Sequence, residues 1–258
     1  MKNNKDIKKD QYRIGKIHIF ATNPQKAEEQ MIKAALNGAG GYICVSNMRM
    51  VRHAGKDSKY ADLMERSFMN IPDGKPLEWC AKLWGLRGVK CTNGPALFKR
   101  MMTQSNATIN HYLLGDTQDV LDKIVETVTN TKIVGAEALP FANVDEFDYE
   151  GIAKRVIDSG AQIVWTAMRA PKQDEFNMRL SRLAPKVVCI GVGRAFRLFT
   201  GEVHQAPKWA QKVGIAGIFT RKTSLGNAIL WYIESSFFLM GYSISILGRR
   251  LIGRKCYE

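Results

Sequence analysis

The sequence predicts an α/β fold in which a mostly parallel sheet carries helices on both faces. The main observation is a rhythm that repeats along the 258 residues, an apolar run followed by an amphipathic run. A second is that runs such as 187–193 (VVCIGVG) are apolar throughout, as expected of a strand that is covered on both faces. A third is the composition, 45% hydrophobic and 24% charged, which is typical of a globular protein with a substantial core.

The first part of the chain opens with an alternating run, YRIGKIHIF, that predicts one strand over Tyr12–Phe20. Asn23 and Pro24 then start a helix that reaches about Ala35. Further predicted elements are a strand over 42–45, a helical pattern over 48–64 with a candidate break at Gly55, an apolar run from residue 67 that stops at Pro72-Asp73-Gly74, a helix directly behind that turn, and another helix over 95–102.

Four further units repeat the alternation of apolar and amphipathic runs. Their predicted strands lie at 111–116, 131–141, 161–170 and 186–196. The helical runs that follow the first three lie at 117–130, 144–160 and 171–184. No linker rich in serine or proline interrupts the series, so we predict one α/β domain over residues 1–205.

Residues 206–258 differ in composition and are predicted to form a C-terminal helical appendage. They carry eight Lys or Arg against two Glu, and the apolar run 227–247 lies between the basic clusters. A membrane span needs about 20 apolar residues, and Asn227, Glu234 and four serines make this run a poor one. Aromatic residues beside basic clusters are typical of a helix that lies on an anionic membrane surface. The alternative is a helix pair packed on the core with a solvated basic face.

The net charge of +14 implies an anionic partner, which is a nucleic acid, an anionic membrane surface or a phosphorylated substrate. Nucleic-acid binding rests on charge alone, because no helix-turn-helix or RNP pattern is present. The four histidines form no HExxH or HxH pattern, and GxSxG and P-loop motifs are missing, which disfavours a metal site and those enzyme classes. Five scattered cysteines and a charged N-terminus predict a cytoplasmic protein.

Polar turns follow four of the predicted strands. They are Ser46-Asn47, Asp73-Gly74, Pro171–Asp174 and Gly191–Arg194. Because the carboxyl ends of parallel strands meet at one edge of a sheet, we expect the four turns to line one site. Asp73 is its candidate general base, and Lys172, Arg194 and backbone amides are candidates for binding an anionic group.

Each of these turns also has a plainer interpretation. Asp-Gly is a common turn pair, and proline commonly begins a helix. The pair Gly191 and Gly193 lacks the third glycine of a dinucleotide-binding fingerprint. Taken singly, each pattern therefore leaves both chemistry and simple turn formation open.

Six fragments in a fixed order carry a family resemblance. They are YICVSNMRMV, IPDGKPLEW, TNGPALF, HYLLGDTQDVLDKI, APKQDEF, and IGVGRAF with FTGEVHQAPKWAQKVGIAGIFTR behind it. Over about Gly41–Phe219, most of the chain, they resemble the WecG/TagA/CpsF family of bacterial glycosyltransferases (glycosyltransferase family 26). The resemblance implies a Rossmann-like catalytic domain associated peripherally with the cytoplasmic face of the plasma membrane.

The resemblance also implies a reaction and a set of site residues. Relatives move a sugar from a UDP-sugar to a sugar on undecaprenyl diphosphate, with inversion and without a metal or other cofactor, in the synthesis of cell-surface polysaccharide. Asp73 matches the family's candidate base, and Gln173 matches the Gln of its PKQE motif. The other residues expected to bind substrate in this framework are Ser46, Asn47, Gly115, Lys172, Gly191 and Gly193.

The chain departs from the family pattern around this site. Lys90-Cys91 stands where relatives commonly carry an arginine, while Arg169, Arg194 and Arg197 replace other residues. We expect these three arginines to bind substrate, either as ligands of a diphosphate or as partners of a carboxylate on a uronic acid. The expected donor is accordingly a UDP-hexuronate or a donor of the UDP-N-acetylmannosamine type.

The expected partners are a UDP-sugar, a polyprenyl-diphosphate-linked acceptor and an anionic membrane surface, with no nucleic acid. A homo-oligomer whose interfaces contribute to the site is left open. Two other classes of function also stay open: a non-catalytic protein that binds nucleotide sugar or anionic lipid, and a nucleic-acid binder explained by the charge of +14.

Overall fold

The computed structural model describes residues 10–104, 108–207, 209–210, 225–251 and 253. Its strands are β1 (Gln11–Ile14), β2 (Ile17–Phe20), β3 (Gly41–Ser46), β4 (Met69–Pro72), β5 (Asn110–Gly115), β6 (Lys132–Glu137), β7 (Ile163–Ala167) and β8 (Val188–Gly191). Its α-helices are α1 (Pro24–Leu36), α2 (Met48–Lys56), α3 (Ser58–Glu65), α4 (Lys75–Leu83), α5 (Gly94–Thr103), α6 (Gln118–Thr127), α7 (Tyr149–Asp158), α8 (Lys172–Leu183), α9 (Ala195–Phe199) and α10 (Leu225–Leu251). A short 3-10 helix covers Val144–Glu146.

Six of these strands form one sheet in the order β4-β3-β8-β7-β5-β6. Every neighbouring pair in that sheet is parallel. The predicted α/β class with a mostly parallel sheet is therefore confirmed. Because all six strands end at the same edge, the turns after β4, β3, β8 and β7 lie side by side.

Helices cover both faces of the sheet, so the core has an α/β/α layering. One apolar cluster joins the sheet to α2, α3, α4, α7 and α8, and the other joins it to α1, α5, α6 and α9. Successive residues of a strand enter opposite clusters, as the two-residue period of a strand requires. In β7, for example, Val164 packs in the first cluster while Ile163 and Trp165 pack in the second. Burial on both faces explains why these strands are apolar throughout.

The N-terminal alternating run forms two strands where one was predicted over Tyr12–Phe20. β1 and β2 pair as an antiparallel hairpin in which Ile14 lies opposite Ile17. The chain reverses at Gly15, whose φ of +60° is a conformation that glycine adopts at little cost. The Tyr12 hydroxyl donates to the Leu77 carbonyl at 3.0 Å, which ties the hairpin to α4.

The helical pattern predicted over 48–64 is divided into α2 and α3. The break lies at Asp57, and the predicted break at Gly55 was wrong. Asp57 Oδ1 accepts from the amides of Lys59 and Tyr60, so the aspartate ends one helix and caps the next. This break sets the direction of α3, which carries Tyr60 towards α8.

The C-terminal helix α10 contacts the rest of the protein through polar pairs, one of which joins the Tyr242 hydroxyl to the Arg13 carbonyl. Trp84 Nε1 donates to the Tyr242 hydroxyl at 2.9 Å, and Arg52 pairs with Glu234. No helix within the described ranges joins the length and the apolar character that crossing a bilayer requires. Much of the predicted appendage, including 211–224, lies outside the described residues, and the boundary at residue 205 stays a prediction.

Candidate functional site

The carboxyl edge of the sheet brings the four predicted turns together. From the edge strand inwards, these turns follow β4, β3, β8 and β7, which are consecutive neighbours in the sheet. Adjacent strands lie about 4.8 Å apart, so the turn after β4 and the turn after β8 are separated by roughly 10 Å. The four turns therefore form a row of polar groups whose length matches a sugar joined to a phosphate.

Asp73 lies directly after β4, at a turn that the backbone holds on both sides. Its amide donates to the Ser46 carbonyl at 2.7 Å, and the Thr92 amide donates to the Pro72 carbonyl at the same distance. Gly74 has a φ of +94°, which explains the glycine behind the aspartate. Burial of the carboxyl, with no cation to offset it, raises the pKa of Asp73 to about 7. At neutral pH such a carboxyl accepts and releases a proton with little driving force either way.

The nearest lysine of this turn is engaged elsewhere. Lys75 Nζ and Lys82 Nζ bind the carboxylate of Glu78 at 2.9 and 3.1 Å. Burial alone would raise the pKa of Glu78, but these ammonium groups and the Cys91 amide outweigh it and lower that pKa to about 2. Since Glu78 occupies both lysines, Asp73 keeps its raised pKa.

Cys91 lies beside Asp73 and belongs to the Lys90-Cys91 pair at which the sequence departs from the expected family pattern. Its Sγ accepts a hydrogen bond from the Gly74 amide at 3.0 Å, and its own amide donates to Glu78 at 3.1 Å. Burial, followed by the charge of Asp73, raises the pKa of Cys91 to about 12. The thiol is therefore neutral and shapes the turn without supplying a charge.

Ser46 and Asn47 occupy different positions although they are neighbours. Ser46 is fully buried, and its Oγ lies 3.4 Å from the Cys44 carbonyl and from Asn70 Oδ1. The Ser46 hydroxyl is therefore buried and its carbonyl is engaged by the Asp73 amide, and substrate binding by Ser46 stays a prediction. Asn47 Oδ1 accepts from the Arg49 and Met50 amides and caps α2, which leaves the Nδ2 group for a substrate.

The glycine turn after β8, Gly191–Gly193, is held by Gln173 of α8. Gln173 Oε1 accepts from the Gly193 amide at 3.2 Å. A Cβ on Gly191 would lie 2.6 Å from Gln173 Cδ, so only glycine leaves room for this side chain. The turn is thereby fixed in a shape that leaves its rim open to a ligand.

Arg169 and Arg194 form a cationic pair at the rim of the glycine turn. Both side chains are exposed. Partial burial, followed by the charge of Arg169, lowers the pKa of Arg194 from its usual value. Within the described parts of the chain, neither guanidinium has a carboxylate within 4.0 Å, whereas most other cations near this edge are paired. Two adjacent guanidinium groups without a counter-ion are suited to bind a diphosphate.

Arg197 is engaged with Asp116 at the end of β5. Its Nε and Nη2 donate to Asp116 Oδ1 at 2.9 and 2.7 Å in a bidentate ion pair. Asp116 has a φ of +62° and is 7% exposed on its side chain, so the arginine neutralises a carboxylate that the backbone holds in place. Substrate binding by Arg197 stays a prediction, with its guanidinium held by Asp116 in this structure. Gly115, also predicted to do so, has a φ of +94° and approaches Ala167 closely, which gives it a structural reason to be glycine.

Lys172 also points away from the glycine turn. Its ammonium group donates to the Ala142 carbonyl and lies 4.9 Å from the ring centroid of Phe147 and 5.7 Å from that of Phe141. A carbonyl and two aromatic faces satisfy the charge locally. Diphosphate binding by Lys172 stays a prediction, and the geometry favours Arg169 and Arg194 for that role.

Comparison with known proteins assigns the family. Residues 12–220 match the sequence profile of the glycosyl transferase WecG/TagA/CpsF family. The chain belongs to this family. The resemblance read from the six fragments is thus confirmed over most of the chain.

Two curated relatives of this WecG/TagA/CpsF-family protein carry the same name, N-acetylglucosaminyldiphosphoundecaprenol N-acetyl-beta-D-mannosaminyltransferase. The one from Bacillus subtilis (strain 168) is 27% identical over 181 residues, which cover 68% of this chain and 69% of the relative. The one from Bacillus spizizenii is 23% identical over 171 residues, which cover 66% of each chain. The chain therefore spans about two thirds of the length of these relatives.

The structure adds residues to the family site that the sequence did not single out. Cys91 shapes the Asp73 turn, and Asp116 removes Arg197 from the set of free cations. Tyr60 and Asp174 form a buried pair next to Gln173. Of these, Cys91 had a signal in the sequence as part of the departure Lys90-Cys91, and Asp174 as the last residue of the Pro171–Asp174 turn. The described residues contain no group of three or more His, Cys, Asp or Glu that could hold a metal ion, and metal independence stays a prediction.

The chemistry available at this edge is base catalysis beside an anion site. Asp73 supplies a carboxyl whose pKa is about 7, and positive charge lies two strands away at Arg194 and three strands away at Arg169. Asn47, at the end of β3, lies between Asp73 and Arg194, and its amide group suits hydroxyl and acetamido groups; the buried Gln173 follows β7 and holds the Gly193 turn. The arrangement fits an acceptor hydroxyl at one end, a sugar in the middle and a diphosphate at the other end.

Proposed function

We propose that this protein transfers a hexosyl group from a UDP-sugar to a sugar carried on undecaprenyl diphosphate, with inversion at the anomeric carbon. The observation that carries the proposal is a separation of charge along one sheet edge. Among the described residues, an acid without a cation, Asp73, lies at the end of β4, and cations without a carboxylate lie two strands away at Arg194 and three strands away at Arg169. Family membership and the names of the two Bacillus relatives support the substrate classes.

In the proposed step, Asp73 acts as general base. Its carboxylate takes the proton of the acceptor hydroxyl while the hydroxyl oxygen forms a bond to the anomeric carbon. The bond between that carbon and the diphosphate oxygen breaks, and UDP leaves with the electron pair. Attack from the side opposite the diphosphate inverts the anomeric centre. Positive charge at the leaving group favours this step because negative charge develops there.

We propose that Arg169 and Arg194 meet the charge of the diphosphate in place of a divalent cation. Two guanidinium groups match the charge of a sugar-linked diphosphate, and Gly193 brings a turn beside them. Because Asp116 binds Arg197, the arginines described at the ends of β7 and β8 offer no third guanidinium without a carboxylate partner for a uronic acid. A donor of the UDP-N-acetylmannosamine type is therefore favoured over a UDP-hexuronate, in keeping with the names of the relatives.

We further propose that α10 attaches the protein to the cytoplasmic face of the plasma membrane, where its acceptor would lie. Ile233, Phe237, Met240 and Ile244 are exposed and recur at intervals of four, three and four residues, which places them on one side of the helix. Basic residues precede the helix in the sequence at 221–222 and belong to its last turn at 249–250. An apolar side between basic clusters is suited to an anionic lipid surface.

A UDP-release assay with a synthetic GlcNAc-diphospholipid acceptor tests the proposed function. We expect release of UDP from UDP-N-acetylmannosamine only when the acceptor is present, formation of a β-linked disaccharide lipid, and activity that persists in EDTA. Faster turnover of UDP-N-acetylmannosaminuronate than of the neutral donor would overturn the donor assignment. Binding of UDP-sugar without transfer to any lipid-diphosphate acceptor would replace the enzyme with a binding protein.

A further inference from the structure

A buried polar contact joins α3 to α8 behind the glycine turn. The Tyr60 hydroxyl donates to Asp174 Oδ2 at 2.6 Å. Asp174 is 1% exposed, and the two residues are 114 positions apart in sequence. Burying a carboxyl group costs folding free energy unless hydrogen bonds compensate for the lost water. The hydrogen bond from Tyr60 provides part of that compensation.

Asp174 also adjoins Gln173, the residue that holds the glycine turn. The side chain of Gln173 lies close enough to the Asp174 carboxyl to favour its ionised form, and Gln173 itself is 5% exposed. Gln173 in turn contacts the glycine turn. Its Oε1 accepts a hydrogen bond from the Gly193 amide, and its Cδ occupies the space beside Gly191. The chain of contacts thus runs from Tyr60 through Asp174 and Gln173 to the backbone of the turn.

The environment of Asp174 favours a neutral side chain at this position, with an oxygen that accepts a hydrogen bond, over a charged carboxylate. Its Oδ1 is buried and has no hydrogen-bond partner among the described residues. Tyr42 and Cys44 are further titratable neighbours, and burial raises the pKa of each; among the residues that the structure describes, no cation is seen to stabilise the Asp174 carboxylate. Burial raises the pKa of Asp174 to about 7 although the contacts with Tyr60 and Gln173 oppose the rise. An asparagine at this position would keep the oxygen that accepts from Tyr60.

We propose that Asp174 is a positioning residue which, held by Tyr60, orients Gln173 and so fixes the Gly191–Gly193 turn in the shape that receives the diphosphate. The inference rests on the proposed function, since it assigns a task to a residue behind the same site. Neither Tyr60 nor Asp174 touches substrate. Their contribution is to keep the amide of Gln173 in one orientation, and loss of that orientation weakens binding of the diphosphate while leaving the Asp73 turn intact.

The test measures UDP binding by calorimetry and the steady-state constants of transfer for four variants. We expect Asp174→Ala and Tyr60→Phe to raise the Kd for UDP and the KM for the UDP-sugar about tenfold, with kcat within about threefold of the wild type. Asp174→Asn restores the acceptor oxygen, so its Kd should stay within about threefold. Tyr149→Phe is the matched control, because it removes a tyrosine hydroxyl on the same face of the sheet whose partner is the Val144 carbonyl.

The outcomes separate this inference from the proposed function. If Tyr60→Phe and Asp174→Ala lower Tm as Tyr149→Phe does but leave the Kd and KM within about twofold of the wild type, the pair is merely structural and the inference fails. Equal losses in Asp174→Asn and Asp174→Ala would also overturn it, because an acceptor oxygen would then not suffice. A wild-type protein that binds no UDP overturns the proposed function together with the inference.

Discussion

The carboxyl edge of the sheet divides into two halves that treat charge differently. At the ends of β4, β3, β8 and β7, Asp73 has no cation and Arg169 and Arg194 have no carboxylate among the described residues. At the ends of β5 and β6, Asp116 binds Arg197 and Glu137 binds Arg155, with N–O distances of 2.7 and 2.6 Å. We call the first half open because its charged side chains are unpaired within the described part of the chain, and the second half closed because its charged side chains are paired. Both halves follow parallel strands of one sheet.

The difference shows what separates a functional turn from an ordinary one at the same place in a fold. A carboxylate that is satisfied by a bidentate arginine contributes to folding and is unavailable for proton transfer. A partly buried carboxylate without a partner costs folding free energy, and such groups concentrate at sites of chemistry. The position of a turn at the sheet edge is therefore a weaker guide to function than the partners of its side chains.

Replacing the unpaired acid should have the largest effect. We expect Asp73→Asn to reduce kcat about 10²–10⁴-fold, because the acceptor hydroxyl loses its general base. Folding should be preserved, since the substitution removes a buried charge and keeps the shape of the side chain. Transfer assays with thermal unfolding on the same preparations check both points. Asp116→Asn is the paired counterpart, and a comparable loss of kcat there would erase the distinction between the two halves.

Replacing the unpaired cations should have the next largest effect. We expect Arg194→Gln to raise the KM for the UDP-sugar about 10–100-fold, because a charge-assisted contact to the diphosphate is lost. Arg169→Gln should act in the same direction. Calorimetric titration with UDP gives the affinity directly, and Arg197→Gln is the control for the loss of one positive charge at this edge. A larger loss of UDP affinity in Arg197→Gln than in Arg194→Gln would contradict the assignment.

The acid should also impose a pH dependence on the open half. Because burial raises the pKa of Asp73 to about 7, kcat/KM should rise with pH up to about 7 and level off above it, as the base becomes ionised. Asp174 also has a pKa of about 7, so the profile should persist in Asp174→Asn and vanish in Asp73→Asn.

The same raised pKa has a consequence for stability, with a defined sign. The folded state holds the Asp73 proton more tightly than the unfolded state, whose carboxyl has a pKa near 3.8. The free energy of unfolding therefore falls as the pH rises from about 4 to about 7. Denaturant unfolding at several pH values should show a shallower fall in Asp73→Asn, and an unchanged pH dependence would place the raised pKa in doubt.

Breaking the closed half should have the smallest effect on catalysis and a visible one on stability. We expect Arg197→Gln to leave Asp116 without a cation and to lower the free energy of unfolding by about 1–3 kcal/mol, at the low end because Arg197 is partly solvated. Tm should fall by several degrees, while kcat stays within about threefold. Differential scanning fluorimetry and the transfer assay together check this. A Tm equal to that of the wild type would mean that the ion pair does not stabilise the fold.

Most of the architecture could be predicted from the sequence because it depends on local periodicity. Apolar runs gave the six parallel strands, and polar residues at their ends gave the shared edge. The exceptions are local as well. The alternating run 12–20 continues across Gly15, so the hydrophobic pattern alone did not reveal the reversal of the hairpin. Asp57 broke the 48–64 helix because its side chain competes for backbone amides, which outweighed the flexibility of Gly55.

The candidate site was less predictable because the direction of a side chain depends on distant partners. Arg197 is bound to a residue 81 positions away, and Lys172 to a carbonyl 30 positions away. Successive side chains of a strand point to opposite faces of the sheet, and the face to which Ser46 points is buried under a helical layer. Asp73 could be selected from its turn and family motif, while its lack of a cation became visible only through the contacts of Glu78.

The packing of Gln173 against Gly191 has a consequence for how this protein can change. A methyl group at position 191 would meet Gln173 2.6 Å from Cδ, so that position is closed to every larger residue while the glutamine is present. Shortening the glutamine alone would free the space but release the Gly193 amide. Substitutions at 173 and 191 are therefore expected to be tolerated together where neither is tolerated alone, and a library that varies one position at a time will not reach such pairs.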